Sequence, residues 1–419
     1  MTPKQGNLEV HERVPHPRRA FAARVGSRKS WVTQIPFSGS AITSIFITSL
    51  LALAGCRSHD FPQYPPNYRE YAYVTNGASG TVSIYDVVNV RLDRELPVGV
   101  NPVAVTASPT RDEVYVVNKG SSSGQGSVSV INTENNTVAA NIPVGAQPVA
   151  LALSADSALA YVANSGTNSI SVLDLKTRRI TGTIGAGEQP VALRVSPDNK
   201  TLVIANRQGN SVSIIDPATG MLRAVFSGCP GASDVTILPD STKAFAACSG
   251  GHQVMAIALA RPAAHPAQPD RLEALLDVGR DPVQLALKPD GGEVFVLNSL
   301  SDSISEVITG TNDVLGAYLM GADPVRGLVS ADNSLLYVGN LNSQKVTIYS
   351  IDDGKRVGAI QVGDGPSALA FSAAGNLLFV VDSRSGDVAV VRTASSSLFT
   401  VLSTGRAPNA IVVKAFKLP

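Results

Sequence analysis

One short phrase recurs eight times along this chain of 419 residues: an apolar run, a glycine, two variable residues and a proline, then another apolar run. The glycines are Gly99, Gly145, Gly187, Gly228, Gly279, Gly321, Gly363 and Gly405, and seven of the eight copies place the proline three residues on: Pro102, Pro148, Pro190, Pro282, Pro324, Pro366 and Pro408. The fourth copy departs, reading Gly228-Cys229-Pro230-Gly231. Successive glycines stand 46, 42, 41, 51, 42, 42 and 42 residues apart. Self-similarity at that period marks stacked supersecondary units, each contributing one face to a shared core, rather than an enzyme domain built round one site.

Within a period the order of signals is constant. An alternating run such as Val191-Ala192-Leu193-Arg194-Val195-Ser196 follows the proline and reads as a strand at period two. A turn cluster comes next, as in Pro197-Asp198-Asn199 and Pro289-Asp290-Gly291-Gly292, where proline presets φ, Asp and Asn bond their own backbone and Gly accepts positive φ. The second strand ends in an amide at most copies: Tyr73-Val74-Thr75-Asn76, Tyr115-Val116-Val117-Asn118, Tyr161-Val162-Ala163-Asn164, Val203-Ile204-Ala205-Asn206, Phe295-Val296-Leu297-Asn298 and Tyr337-Val338-Gly339-Asn340. A Gly/Ser loop leads to a third strand, such as Ile170-Ser171-Val172-Leu173-Asp174, and a looser fourth strand returns to the next glycine. Four short antiparallel strands in about forty residues make one blade of a β-propeller.

Tyr73-Val74-Thr75-Asn76 and its near copies, the Ser-Val-Ile-Asp type of third strand and the Val-Gly-x-x-Pro junction together resemble the YVTN family of β-propellers, over residues 71 to 416. The resemblance implies a fold more than an activity, since that family and its lactonase-like relatives include cell-surface proteins and chains of unassigned role. The expected fold is all-β, a single propeller of four-stranded blades. Its ends decide the blade count. The repeats begin at a second strand, Tyr71 to Thr75, and stop after a first strand, Asn409 to Lys414. A linear stack would leave both edges unpaired, a hazard that closure removes. Eight first strands and eight sets of the other three predict eight blades, the C-terminal strand completing the N-terminal blade; seven, commoner in the resembled family, is the alternative.

Residues 1–55 have a different composition, with seven Lys/Arg against two Asp/Glu, an apolar run from Ala41 to Ala54, and Leu53-Ala54-Gly55-Cys56 at its end. A basic region, a short apolar run and small residues before a cleavage point make a secretory signal. Leu-Ala-Gly-Cys resembles the bacterial lipobox, which implies lipidation of Cys56 and a place in the cell envelope, on the periplasmic or cell-surface side of the outer membrane. A run of fourteen residues falls short of the roughly 20 that span a bilayer, which disfavours a transmembrane anchor. Residues 56–70, with Pro62, Pro65 and Pro66, read as a semi-rigid tether, and 71–419 as the propeller. Without the leader the chain is net negative, which excludes the basic stripe a nucleic-acid binder needs. Two cysteines remain. Cys248 takes the position of the recurrent Asn, Cys229 sits in the aberrant Gly-x-x-Pro, and an oxidising compartment favours a disulfide over two free thiols, although strict pairing sets residue 248 opposite residues near 233.

Catalytic raw material is scarce. After the lipobox the histidines are His59, His252 and His265, with no pair at metal spacing and no haem-attachment motif, so no metal or cofactor is implied. The Asp-Asn and Asp-Gly pairs fall at hairpin turns and read as turn chemistry rather than calcium ligation. Residues that break the repeat are the better guide. Aligned on Gly-x-x-Pro, the second position of the first strand is Ala104, Ala150, Ala192, Asp234, Gln284, Arg326, Ala368 and Ala410, and Arg194 stands two positions beyond Ala192. First strands line a propeller's channel, so Arg194, Asp234, Gln284 and Arg326 fall on one arc of it. They form either a satisfied polar network, with Asp234 paired to Arg326 or Arg194, or the seat of a small anionic or polar ligand. Two functions follow: a lipid-anchored, non-enzymatic binding or surface scaffold with a protein or cell-envelope partner, or a lactonase-like or lyase-like enzyme with those four as its pocket and His252 as base. Accessory service to a periplasmic redox enzyme rests on fold analogy alone. Loops at Ser121–Gly126 and Pro262–Pro269 are longer than their counterparts and are further candidates for recognition.

Overall fold

The computed structural model describes residues 64–122, 124–260 and 268–418. The signal segment, Cys56, His59, His265 and most of the Pro262–Pro269 insertion lie outside them. The described chain forms eight four-stranded antiparallel sheets. Blade 1 is made by Pro408–Lys417, Tyr68–Asn76, Thr81–Asp86 and Arg91–Pro97; blades 2 to 8 follow in chain order, their innermost strands being Pro102–Ala107, Pro148–Leu153, Pro190–Val195, Ala232–Ile237, Pro282–Leu287, Pro324–Val329 and Pro366–Phe371. Ring closure has the expected form. The last strand pairs antiparallel with the first from Tyr68↔Lys417 to Thr75↔Ala410, so the edges of an open array are spent on each other.

Second strands are buried on both faces, as in Glu113–Asn118 and Leu377–Asp382, because each blade is sandwiched between two neighbours. This explains their near-continuous apolar runs. Outer strands such as Arg91–Pro97 are exposed over most of their length. Tyr73, Tyr115, Tyr161, Phe245, Phe295, Tyr337 and Phe379 recur at one position of the second strand and are all but wholly buried between blades. Truncating one would cost about 3–5 kcal/mol in lost transfer energy and cavity.

The two most repeated residues explain each other. The side-chain amide of each recurrent Asn donates to hydroxyls on the third strand, as in Asn206 to Ser211 (3.3 Å) and Ser213 (2.9 Å), or Asn118 to Ser127 (3.1 Å) and Ser129 (2.8 Å). The glycine of Gly-x-x-Pro lies on that carboxamide. A Cβ on Gly99, Gly145, Gly187 or Gly279 would stand 2.6 Å from the Asn carboxamide carbon of its own blade, far inside van der Waals contact. Blade 5 has Cys248 where the Asn belongs, and there Gly228 turns to φ +90 with open space around it. Cys229 folds in instead and bonds Cys248, with Sγ–Sγ 2.01 Å and Cα–Cα 4.7 Å. Positive φ at Gly228 and Gly231 lets the loop curl past the strict register, in which Ala232 faces Cys248.

Candidate functional site

First strands from all eight blades line a central cavity of about 390 Å³. At the start of the first strand in all eight blades the ladder slips by one residue, a bulge that re-aims the residue beyond it, as between Pro190 and Ala192, Ala232 and Asp234, or Pro324 and Arg326. Arg194, Asp234, Gln284 and Arg326 line the cavity from blades 4, 5, 6 and 7, while Ala104, Ala150, Ala192, Ala368 and Ala410 make the rest of the wall at the aligned position. All four arc residues therefore meet in one space.

Their hydrogen bonds divide them into two pairs. Asp234 Oδ2 accepts the Leu285 amide of the next blade (3.0 Å) and Oδ1 accepts the Val235 amide (2.9 Å). Gln284 repeats the clasp one blade on: its Oε1 accepts the Gly327 amide (2.6 Å) and its Nε2 donates to the Gly327 carbonyl (3.3 Å). These two side chains tie blade 5 to 6 and blade 6 to 7. Arg326 occupies the same position in blade 7, but a guanidinium has no acceptor with which to take the corresponding amide of blade 8.

Arg326 makes no hydrogen bond or ion pair with the described residues. Its surface is open to the bore while protein surrounds it, and that enclosure pushes the guanidinium below its ordinary pKa; Asp234 opposes the shift and Arg194 adds to it. Of the two pairings expected for Asp234, the one with Arg326 is not formed. Asp234 instead meets Arg194 at 4.0 Å, a loose contact in which the Arg194 side chain keeps 51% of its exposure and donates otherwise to the Leu193 carbonyl (3.0 Å). The cavity thus holds two cations and one carboxylate, and the carboxylate's oxygens are already used by backbone amides. Most of the guanidinium N–H donors stay available.

The remaining sequence candidates sit elsewhere. His252 is exposed in the left-handed position after a short 3-10 turn at Ser249–Gly251, its Nδ1 3.3 Å from the Asp281 amide, and it does not line the cavity. Aspartates of the turn clusters are consumed by their turns: Asp290 Oδ1 accepts the Gly292 amide at 2.8 Å and Asp240 Oδ1 the Thr242 amide at 3.0 Å. No group of three or more His, Cys, Asp or Glu among the described residues is placed to hold a metal ion.

One buried carboxylate departure is not visible in the channel-arc alignment. Blade 8 carries Asp382 where six blades carry Asn, and Asp387 five residues on where Ser or Thr usually accepts. Asp382 is fully buried, its Oδ2 accepting the Gly363 amide at 2.9 Å. Burial pushes its carboxyl up to about 8, with Asp387 adding to the shift. The signal was present in Phe379-Val380-Val381-Asp382, a departure as plain as Cys248.

Comparison with known proteins agrees on the fold. The YNCE-like beta-propeller family matches residues 96–263. No curated protein matches the chain. Among solved structures, the chain is similar to dihydro-heme d1 dehydrogenase NirN in complex with DHE (16% identity, 84% of this chain and 76% of that one, TM-score 0.67). It is similar also to AztD of Citrobacter koseri (14%, 84% and 99%, 0.64) and to hydrazine synthase of Kuenenia stuttgartiensis (21%, 70% and 96%, 0.52). The protein is a β-propeller. At these identities the likeness speaks for the fold alone.

Proposed function

We propose that the protein is a lipid-anchored, extracytoplasmic β-propeller that binds a small anionic molecule in its central channel without transforming it. The observation that carries this reading is Arg326, a guanidinium in the central cavity without a partner among the described residues, seconded by Arg194. A planar fork of N–H donors matches a carboxylate or phosphate bidentately, and such charge-assisted bonds are the strong ones. The cavity has the volume of a small-molecule site, which starts near ~300 Å³. Hydrolysis of the lactonase kind, or elimination of the lyase kind, would call for a base near the bound molecule. His252 on the rim loop offers none at the cavity wall, so binding is the better-supported alternative.

Titration calorimetry with acetate, succinate and inorganic phosphate tests the channel. At least one anion should bind the parent, and Arg326→Ala should weaken it about tenfold or more while folding normally, since five blades carry Ala at this position. Equal affinity in the variant, or no anion bound at millimolar concentration, would refute the site. The anchor is tested separately: Cys56→Ala should abolish labelling by a fatty-acid probe.

A further inference from the structure

On the face that carries the turns between first and second strands, neighbouring blades are stitched together by one repeated device. A turn residue shortly after the first strand sits at positive φ and offers its side chain to an amide of the preceding blade. Asn199 accepts from the Ala155 amide (2.7 Å), Ser241 from the Asp198 amide (3.2 Å) and Asn333 from the Asp290 amide (3.2 Å). Two blades have glycine there, for opposite reasons. At Gly291 a Cβ would stand 2.8 Å from Pro239 Cδ, so the space is filled by the preceding blade. At Gly375, φ +71, a Cβ would meet nothing within 4 Å.

That missing side chain opens a cleft of about 410 Å³ between blades 7 and 8. The half-buried Phe371 forms its aromatic wall, with the 2%-exposed Tyr337 packed edge to face against it (centroids 5.4 Å apart), and Asp332, Ser334 and Thr393 stand around it. Two of the three equivalent tyrosines reach across to the turn between third and fourth strands of the next blade, Tyr73 donating to Asn136 Oδ1 (2.7 Å) and Tyr161 to the Pro217 carbonyl (3.4 Å), while Tyr115 donates to Glu113 of its own strand. Tyr337 makes no such bond. Its hydroxyl has no hydrogen-bond partner among the described residues, although the corresponding turn of blade 8, Thr393-Ala394, borders the same cleft.

We propose that this cleft is a second binding site, distinct from the channel, for a small organic cation: an ammonium group held by the Asp332 carboxylate on an apolar or aromatic body that lies against Phe371 beside the Tyr337 hydroxyl. The chemistry of each wall selects that class. Asp332 is exposed and remains a carboxylate, since the hydroxyls of Ser330 and Ser334 and the Ser334 amide hold it below the ordinary carboxyl range. Among the described residues no arginine or lysine lines the cleft to neutralise it. Aromatic faces attract a desolvated cation, and the free Tyr337 hydroxyl supplies one further polar contact. The site owes nothing to Arg326, so either site can fail alone.

The test uses benzylammonium chloride as probe, with benzyl alcohol as its uncharged counterpart, followed by saturation-transfer NMR and calorimetry. The parent should bind benzylammonium about tenfold more tightly than the alcohol, the difference a single charge-assisted contact gives. Asp332→Asn should erase that preference, while Arg326→Ala should leave it intact. Gly375→Asn should weaken binding about tenfold or more by refilling the cleft, and its melting temperature should hold or rise, because Asn tolerates the left-handed turn. A parent that prefers the alcohol or binds neither probe would overturn the proposal, as would undiminished affinity in a folded Gly375→Asn variant.

Discussion

Replacing Asp382 by Asn should make stability less sensitive to pH, and the sign is fixed by the buried carboxyl. Asp382 titrates at about 8 in the folded ring because burial disfavours its charge and Asp387 adds repulsion, with the Gly363 amide opposing. In the unfolded chain an aspartate titrates near ~3.9. The folded state therefore holds one more proton over that interval, and this contribution to stability, fully present below about pH 4, falls as pH rises toward 8. The slope is about 1.4 kcal/mol per pH unit for one proton. From pH 5 to 8 this amounts to roughly 4 kcal/mol, or about 5 °C in melting temperature for a domain of this size. The carboxamide introduced by Asp382→Asn would instead donate to Asp387, as Asn206 does to Ser211 in blade 4. Thermal melts of parent and Asp382→Asn across pH 5 to 8 isolate this group from every other that titrates. The curves should nearly meet at pH 5 and separate by several degrees at pH 8, with the variant above. Parallel curves would refute the assignment of the proton, and a variant less stable at pH 8 would refute the idea that charge rather than shape limits this position.

Breaking the disulfide should be costly even though blade 5 is well packed: Cys229→Ala with Cys248→Ala should lose about 3 kcal/mol by urea melts, the chain-entropy expectation for cysteines 19 residues apart. Restoring Asn alone at 248 should recover little, because Gly228 no longer lies against that position. The channel arc should respond asymmetrically. Asp234→Ala removes the acceptor of the Leu285 amide and should cost about 1–3 kcal/mol, whereas Arg326→Ala should stay within about 0.5 kcal/mol of the parent. Equal losses by chemical denaturation would mean that Arg326 has a structural partner after all.

The parts legible from sequence were those that recur. Blade number and ring closure follow from counting strands, because eight copies of a turn leave little freedom and the two half-blades at the ends fit only each other. The burial of the Tyr-Val-x-Asn strands follows from their apolar continuity. Even the joined cysteines could be placed at one end of a hairpin, although the curl that unites them depends on positive φ at two glycines and cannot be had from strict pairing. Division of the arc into clasping and available residues was not legible. It depends on the bulge after each proline and on the stagger between one blade and the next, so Asp234 and Arg326 look like an ion pair in the alignment and are not one in space. The cleft beside Gly375 was less legible still, since a glycine in a turn reads as turn chemistry. Only the neighbouring blades show that Gly291 fills a tight space and Gly375 leaves an empty one.

A repeated scaffold supplies its own control for each departure, because seven other blades show what the same position does when nothing special is asked of it. The useful question at a departure is whether its polar atoms find partners. Asp234 and Gln284 do, and each replaces an alanine by a clasp between blades. Cys248 does, through Cys229. Arg326 and the Tyr337 hydroxyl find none among the described residues. Both stay open to solvent rather than sealed in the core, Arg326 in the bore and the Tyr337 hydroxyl at the blade 7–8 cleft, so the ring carries them at little cost and they keep their hydrogen-bonding capacity for a bound molecule. Two such open groups, both in blade 7, are what a ring that uses its channel and its blade 7–8 cleft for recognition would present, and a ring that served only as a spacer could have kept alanine in the channel and asparagine in the turn that borders the cleft.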